Sequence, residues 1–225
     1  MEPQGMLYLF DIDGTLVDTG GAGIRALEET CITRFGDPGP PLDLAGSTDL
    51  GIVETVHAHF GMDASGENIA EFFAIYHERL GWNLAHGGFP GKVLPGVKPL
   101  LDELEARSLA VGLLTGNTAP GSAAKMLHFG LSGYFRIGAY GCDHADRNRL
   151  GPIALKRARE CFGTDFSPAE TIIIGDTPKD IACAKAVGAR CLAVATGRFS
   201  CEELSFHGAD HVVPTLESAA GWLGI

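Results

Sequence analysis

The chain has 225 residues, 45% of them hydrophobic and 20% charged, with 17 Lys and Arg against 28 Asp and Glu for a formal charge of −11. That length suffices for one sizeable core carrying an inserted module, and the composition is too apolar for a disordered chain. The acidic balance disfavours nucleic acid and anionic membrane surfaces as partners, and no apolar run approaches the roughly 18 residues that a membrane-spanning helix needs. Between Gly5 and Asp11 there are too few hydrophobic residues for a secretory signal, so the expectation is a cytoplasmic protein, monomer or homodimer. The six cysteines include no CxxC pair, which predicts reduced, structural thiols.

The first element is the apolar run Leu7-Tyr8-Leu9-Phe10, a short buried strand that ends on Asp11-Ile12-Asp13-Gly14-Thr15-Leu16. Two carboxylates two residues apart at a strand tip repel each other unless a cation or a raised pKa relieves them, and Gly14 lets the chain turn away. From residue 19 to 92 the pattern turns helical, with apolar spacings of three and four residues over Ala22–Phe35, Leu50–Phe60 and Glu67–Leu84. Glycines flank this insertion at Thr19-Gly20-Gly21-Ala22-Gly23 and Gly87-Gly88-Phe89-Pro90-Gly91, and they suit a pair of hinges. Asp18 and Thr19 read as a helix cap at its entry. Gly46-Ser47-Thr48-Asp49 opens a helix within it, where Ser or Thr is either a plain N-cap or the edge of an anion site. His57 and His59 diverge on a helix and make a poor metal pair.

After residue 93, helix and strand alternate. A helix over Val97–Leu104 precedes the strand Ala110–Leu114, which runs into Thr115-Gly116-Asn117. A helix over Ala119–Leu127, a strand around Phe135–Tyr140 and a helix over Pro152–Phe162 lead to the strand Thr171–Ile174 and its tip Gly175-Asp176-Thr177-Pro178-Lys179-Asp180. A helix from Lys179 stops before Gly188, and strands at Cys191–Ala195 and His211–Val213 follow. The alternation predicts an α/β fold, a doubly wound parallel sheet in a Rossmann-like core of residues 1–18 and 93–225, with a helical cap inserted over 19–92. Parallel strands would bring their polar tips to one site. Neither a complete dinucleotide fingerprint nor a phosphate-loop lysine motif is present.

These three motifs together resemble the haloacid dehalogenase superfamily, over about residues 6–16 and 93–215, and the chain layout is similar to its phosphoglycolate phosphatase branch. The resemblance implies a Mg²⁺-dependent phosphatase of small phosphate monoesters that works through an aspartyl-phosphate. It implies Asp11 as nucleophile, and Asp13 as the acid and base, free to titrate while Asp11 is pinned to the metal. It further implies Thr115, with the N–H groups of Gly116 and Asn117, as phosphate ligands, and a Mg²⁺ sphere of Asp11, Asp176 and the main-chain carbonyl of Asp13. Asp180, one helical turn beyond Asp176, can reach metal waters or hold a basic side chain. The family's usual lysine is missing. Arg147 replaces it by spacing, ahead of Arg149 and of Lys156, while Lys179 is expected to face solvent. Phosphomutase chemistry on the same nucleophile and a non-catalytic phosphate-binding module are the competing readings.

Overall fold

The computed structural model describes residues 5–225. Strand β1 (Leu7–Phe10) is buried along its whole length, as a strand covered on both faces must be. After it come β2 (Val17–Asp18), the cap helices α1 (Ala22–Phe35), α2 (Asp49–His59) and α3 (Gly66–His86), and β3 (Lys92–Val93). The core resumes with α4 (Val97–Ala106), β4 (Ala110–Leu114), α5 (Ala119–His128), β5 (Ile137–Ala139), α6 (Leu150–Phe162), β6 (Thr171–Gly175) and α7 (Pro178–Val187). It closes with β7 (Arg190–Val194), α8 (Cys201–Phe206), β8 (His211–Val213) and the short α9 (Ala220–Leu223).

Six strands form one parallel sheet in the order β5-β4-β1-β6-β7-β8. Register aligns Phe10 with Leu113 on one side and Ile174 on the other. The residues that follow these three positions therefore emerge side by side at the carboxyl edge, the crevice where doubly wound sheets bind ligands. Alternation along β1 splits the core. Tyr8 and Phe10 pack on one sheet face with α4 residues Leu100, Leu101 and Leu104, whereas Leu7 and Leu9 pack on the other with Leu150, Ala154 and Ala158 of α6.

The cap has its own core of Ala26, Val53, Val56, Phe72, Tyr76 and Leu80. Its two chain crossings are tied together by an antiparallel ribbon, β2 with β3, pairing Val17 with Val93 and Asp18 with Lys92. The sequence does not announce this two-residue ribbon, which lies where core and cap meet. Asp18 and Thr19 do not cap α1. Asp18 Oδ1 accepts from Gly20 N at 2.8 Å, and the N-cap is Gly21 at φ 100°, without a side-chain bond. The short helix α8 also escapes a periodicity reading, although Ser200 and Glu203 form a reciprocal capping box at its start. All six cysteines are free thiols. No helix of the described residues is long and apolar enough to cross a membrane.

Candidate active site

Asp11 follows β1, and its N–H donates to Ile174 O of β6 at 2.9 Å, so the central strands fix its backbone. Asp176 follows β6, and Asp180 sits in the first turn of α7. The carboxylates of Asp11, Asp176 and Asp180 lie within 4.8 Å of one another, and all three residues are buried. Close approach requires glycine on both sides of Asp176: a Cβ on Gly14 would stand 2.3 Å from its Oδ2, and one on Gly197 1.7 Å. Gly14, at φ +79°, also lets the chain turn directly after Asp13.

One buried cation serves this group. Arg147 lies in a single 3₁₀ turn just before α6, and its Nη2 meets Asp11 Oδ1 at 3.2 Å and Asp180 Oδ1 in a shorter pair. Its guanidinium also donates to Gly46 O at 3.1 Å and Leu114 O at 3.4 Å. The second oxygen of Asp180 accepts from Thr177 N and Oγ1, at 3.1 and 2.7 Å, in the capping box of α7. Asp180 thus holds a basic side chain, one of the two possibilities its spacing leaves open. Arg149 is exposed, and Lys156 is exposed on α6 beside Glu160. Lys179 does not simply face solvent, since its Nζ reaches Ser47 Oγ at 2.6 Å and Asp43 Oδ2 at 3.3 Å on the cap.

Asp13 does not join the three clustered carboxylates and is not a free side chain. Both its oxygens meet Lys125 Nζ, at 2.8 and 2.6 Å, and Oδ2 accepts from Asn117 Nδ2 at 2.8 Å. Lys125 Nζ also donates to Asn117 Oδ1 at 2.6 Å, which closes a three-membered polar network. The sequence reading missed Lys125. Its signal was present: on α5 the buried positions are Gly121, Ser122, Lys125 and Met126, so this lysine occupies the core-facing stripe of a helix, a costly place for an unpaired charge. Thr115 is fully buried behind the wall, and its hydroxyl accepts from Asn117 N at 3.3 Å and Nδ2 at 2.9 Å. The Asn117 N–H is therefore engaged within the loop.

Burial dominates the electrostatics. It pushes Asp176 up to about 8, assisted by the negative charges of Asp180 and Asp11, with Thr15 and Arg147 pulling the other way. Asp11 is raised by burial as well, against the lowering effect of Arg147, and the Arg147 guanidinium is held charged by Asp180 and Asp11. Three crowded acids against one arginine form an oxygen-only donor set short of positive charge, which suits a hard divalent cation rather than zinc.

The cap sits down on this edge. Asp49 N donates to Gly116 O at 2.7 Å, Leu50 N to Gly141 O at 3.2 Å, and Thr48 Oγ1 to Ala145 O at 2.6 Å, while Asp49 Oδ2 accepts from Thr118 N at 2.7 Å. Thr48 is the N-cap of α2, accepting from Gly51 N at 3.2 Å. The helix start that could have faced an anion instead spends its first N–H groups on the loops after β4 and β5. Gly116 permits the contact, because a Cβ there would stand 1.9 Å from Ser47 O. Between cap and core lies a cavity of about 490 Å³ whose lining includes Asp11, Asp13, Asn117, Lys125, Arg147 and Asp176.

A parallel sheet with paired acids at the ends of β1 and β6, under a helical cap, defines a class. The profile of the haloacid dehalogenase-like hydrolases matches residues 8–194, and the chain belongs to that family. It is a hydrolase of the family's phosphatase kind and is similar to phosphoglycolate phosphatases: 27% identical over 193 residues to that of Yersinia pestis, covering 84% of this chain and 80% of the relative. It is 26% identical over 218 residues to that of Thiobacillus denitrificans, covering 94% and 92%. Among solved structures, CbbY from Rhodobacter sphaeroides in complex with phosphate shares the fold with a TM-score of 0.72 and 20% identity, over 96% of both chains.

Proposed function

We propose that this chain is a Mg²⁺-dependent phosphatase of small-molecule phosphate monoesters that works through an aspartyl-phosphate on Asp11. The observation that carries the reading is the meeting of Asp11 and Asp176, far apart in sequence, within one buried cluster at the carboxyl edge of the sheet. Asp11, Asp176 and the Asp13 carbonyl would hold Mg²⁺, which supplies positive charge against the phosphoryl oxygens. A carboxylate oxygen of Asp11 attacks phosphorus as the bond from phosphorus to the ester oxygen breaks. Asp13, steered by Lys125 and Asn117, gives its proton to the departing alkoxide and then takes one from the water that cleaves the acyl phosphate, releasing inorganic phosphate. Arg147 keeps Asp11 oriented and adds charge beside the transferring group, and Gly116 and Asn117 line the phosphate end of the cavity, with the buried Thr115 hydroxyl holding Asn117 in place behind them.

The test is release of inorganic phosphate from an aryl phosphate with Mg²⁺ and with chelator, beside Asp11→Asn. Metal-dependent release that the variant abolishes supports the reading. Release that persists in Asp11→Asn refutes the nucleophile, and transfer to a second hydroxyl without free phosphate would identify a mutase.

A further inference from the structure

The phosphate end of the cavity is polar, but the cap end is not. Leu27, Ile52, Val53, Phe72, Phe73 and Tyr76 line it from α1, α2 and α3. The charged groups that the cap and its entry contribute to this lining are Asp18 and Asp49, both acidic, and no Lys or Arg between residues 19 and 91 lines the cavity. None of the cap arginines Arg25, Arg34 and Arg79 lines the cavity, and two of them are held elsewhere, Arg25 with Glu29 at 2.9 Å and Arg34 with Asn68 at 2.9 Å. The three lining cations all belong to the core. Lys125 is matched to Asp13 and Arg147 to Asp180 and Asp11, while Arg198 stands at the exposed rim, paired with Asp43 at 2.7 Å. An anionic second group on a substrate would meet greasy wall and two carboxylates. The volume of about 490 Å³ also far exceeds the need of a two-carbon acid.

From this wall we infer that the cap selects phosphate esters whose organic part is uncharged and largely apolar, aryl or branched and longer alkyl, over phosphorylated carboxylic acids. The inference rests on the phosphatase reading for turnover, but the wall's preference is a binding property and is measurable without it. A ligand would place its phosphate between Arg147 and the carboxylate edge, with its hydrocarbon against Phe72, Phe73 and Ile52.

Two measurements on the full chain with Mg²⁺ decide it. In turnover, kcat/KM is compared for 2-phenylethyl phosphate, a series of n-alkyl phosphates and 2-phosphoglycolate, all alkyl esters, so that leaving-group differences stay small. The expected result is a rise of roughly threefold to fourfold per methylene that enters the cavity, and at least about tenfold in favour of the phenylethyl ester over the acid. In binding, calorimetry compares 2-phenylethylphosphonate with 3-phosphonopropionate, which cannot turn over. Ile24→Arg, at a lining position that is 54% exposed, should narrow the preference by raising affinity for the carboxylated phosphonate. Equal or stronger binding of the carboxylated ligand by the unaltered chain overturns the inference even if esters are hydrolysed. A retained apolar preference with no phosphate release from any ester upholds it and sinks the hydrolytic reading instead.

Discussion

Arg147→Met removes the cation that sits among the buried acids and leaves a side chain of similar length. At an effective dielectric of 20, two unit charges 4.8 Å apart interact by about 3.5 kcal/mol, and the 3.2 Å contact of Arg147 with Asp11 corresponds to about 5 kcal/mol of attraction. Desolvation of the guanidinium offsets much of that attraction, so the net loss on removing one partner is about 3–5 kcal/mol. For a chain of this size each kcal/mol moves Tm by about 2–4 °C, so the variant should melt roughly 6–20 °C lower in the presence of chelator. Because burial and like charges push Asp176 up to about 8, protonation relieves the crowding in acid, and the deficit should be largest at alkaline pH and shrink on acidification. Added Mg²⁺ should recover part of it by supplying a replacement charge. The assay is thermal melting followed by circular dichroism across pH, with metal and with chelator. A variant that melts within about 2 °C of the unaltered chain at alkaline pH in chelator would falsify the argument.

Lys125→Met should lower kcat/KM for alkyl phosphates by roughly 100-fold, because Asp13 loses the group that aims it, while Tm falls only a few degrees since Asp13 can turn to water; a kcat/KM within threefold of the unaltered chain contradicts the role given to this lysine. Asp49, pushed up to about 6 chiefly by burial, binds more protons folded than unfolded, so the stability it contributes in acid is lost as pH rises through about 6. Asp49→Asn abolishes that titration and keeps an oxygen for the Thr118 N–H, so relative to the original chain it should gain on the order of 1–3 kcal/mol between acid and neutral pH by chemical denaturation. A stability difference that stays flat across that range rules out burial of the charge as the cause.

How far the sequence reaches depends on whether the signal is local. Leu7-Tyr8-Leu9-Phe10 and Thr171–Ile174 reveal themselves because a short apolar run ending in a polar tip has few other uses, and the structure sets them side by side as β1 and β6. Asp11, Asp176 and Asp180 come together as their strand and helix positions demand. Arg147 could be ranked above Arg149 and Lys156 by spacing, but only the turn geometry before α6 shows which of the three faces inward. Lys125 stayed hidden because its partner Asp13 lies on another element, and a lysine inside a helix is ordinary until the burial of its face is known. The bonds that seat Asp49 and Leu50 on the loops after β4 and β5 involve backbone atoms, which carry no residue-type signature at all.

That seating has a wider meaning. The loop carrying Thr115, Gly116 and Asn117 is braced by Asp49 of the cap as well as by Ala139 and Gly141 of the core. A guest that held the cap off this loop would remove those bonds and slacken the loop, whereas one that leaves them in place keeps the architecture complete. Fidelity here can thus arise from assembly: the wrong molecule need not be repelled, only prevented from finishing the enclosure that it entered.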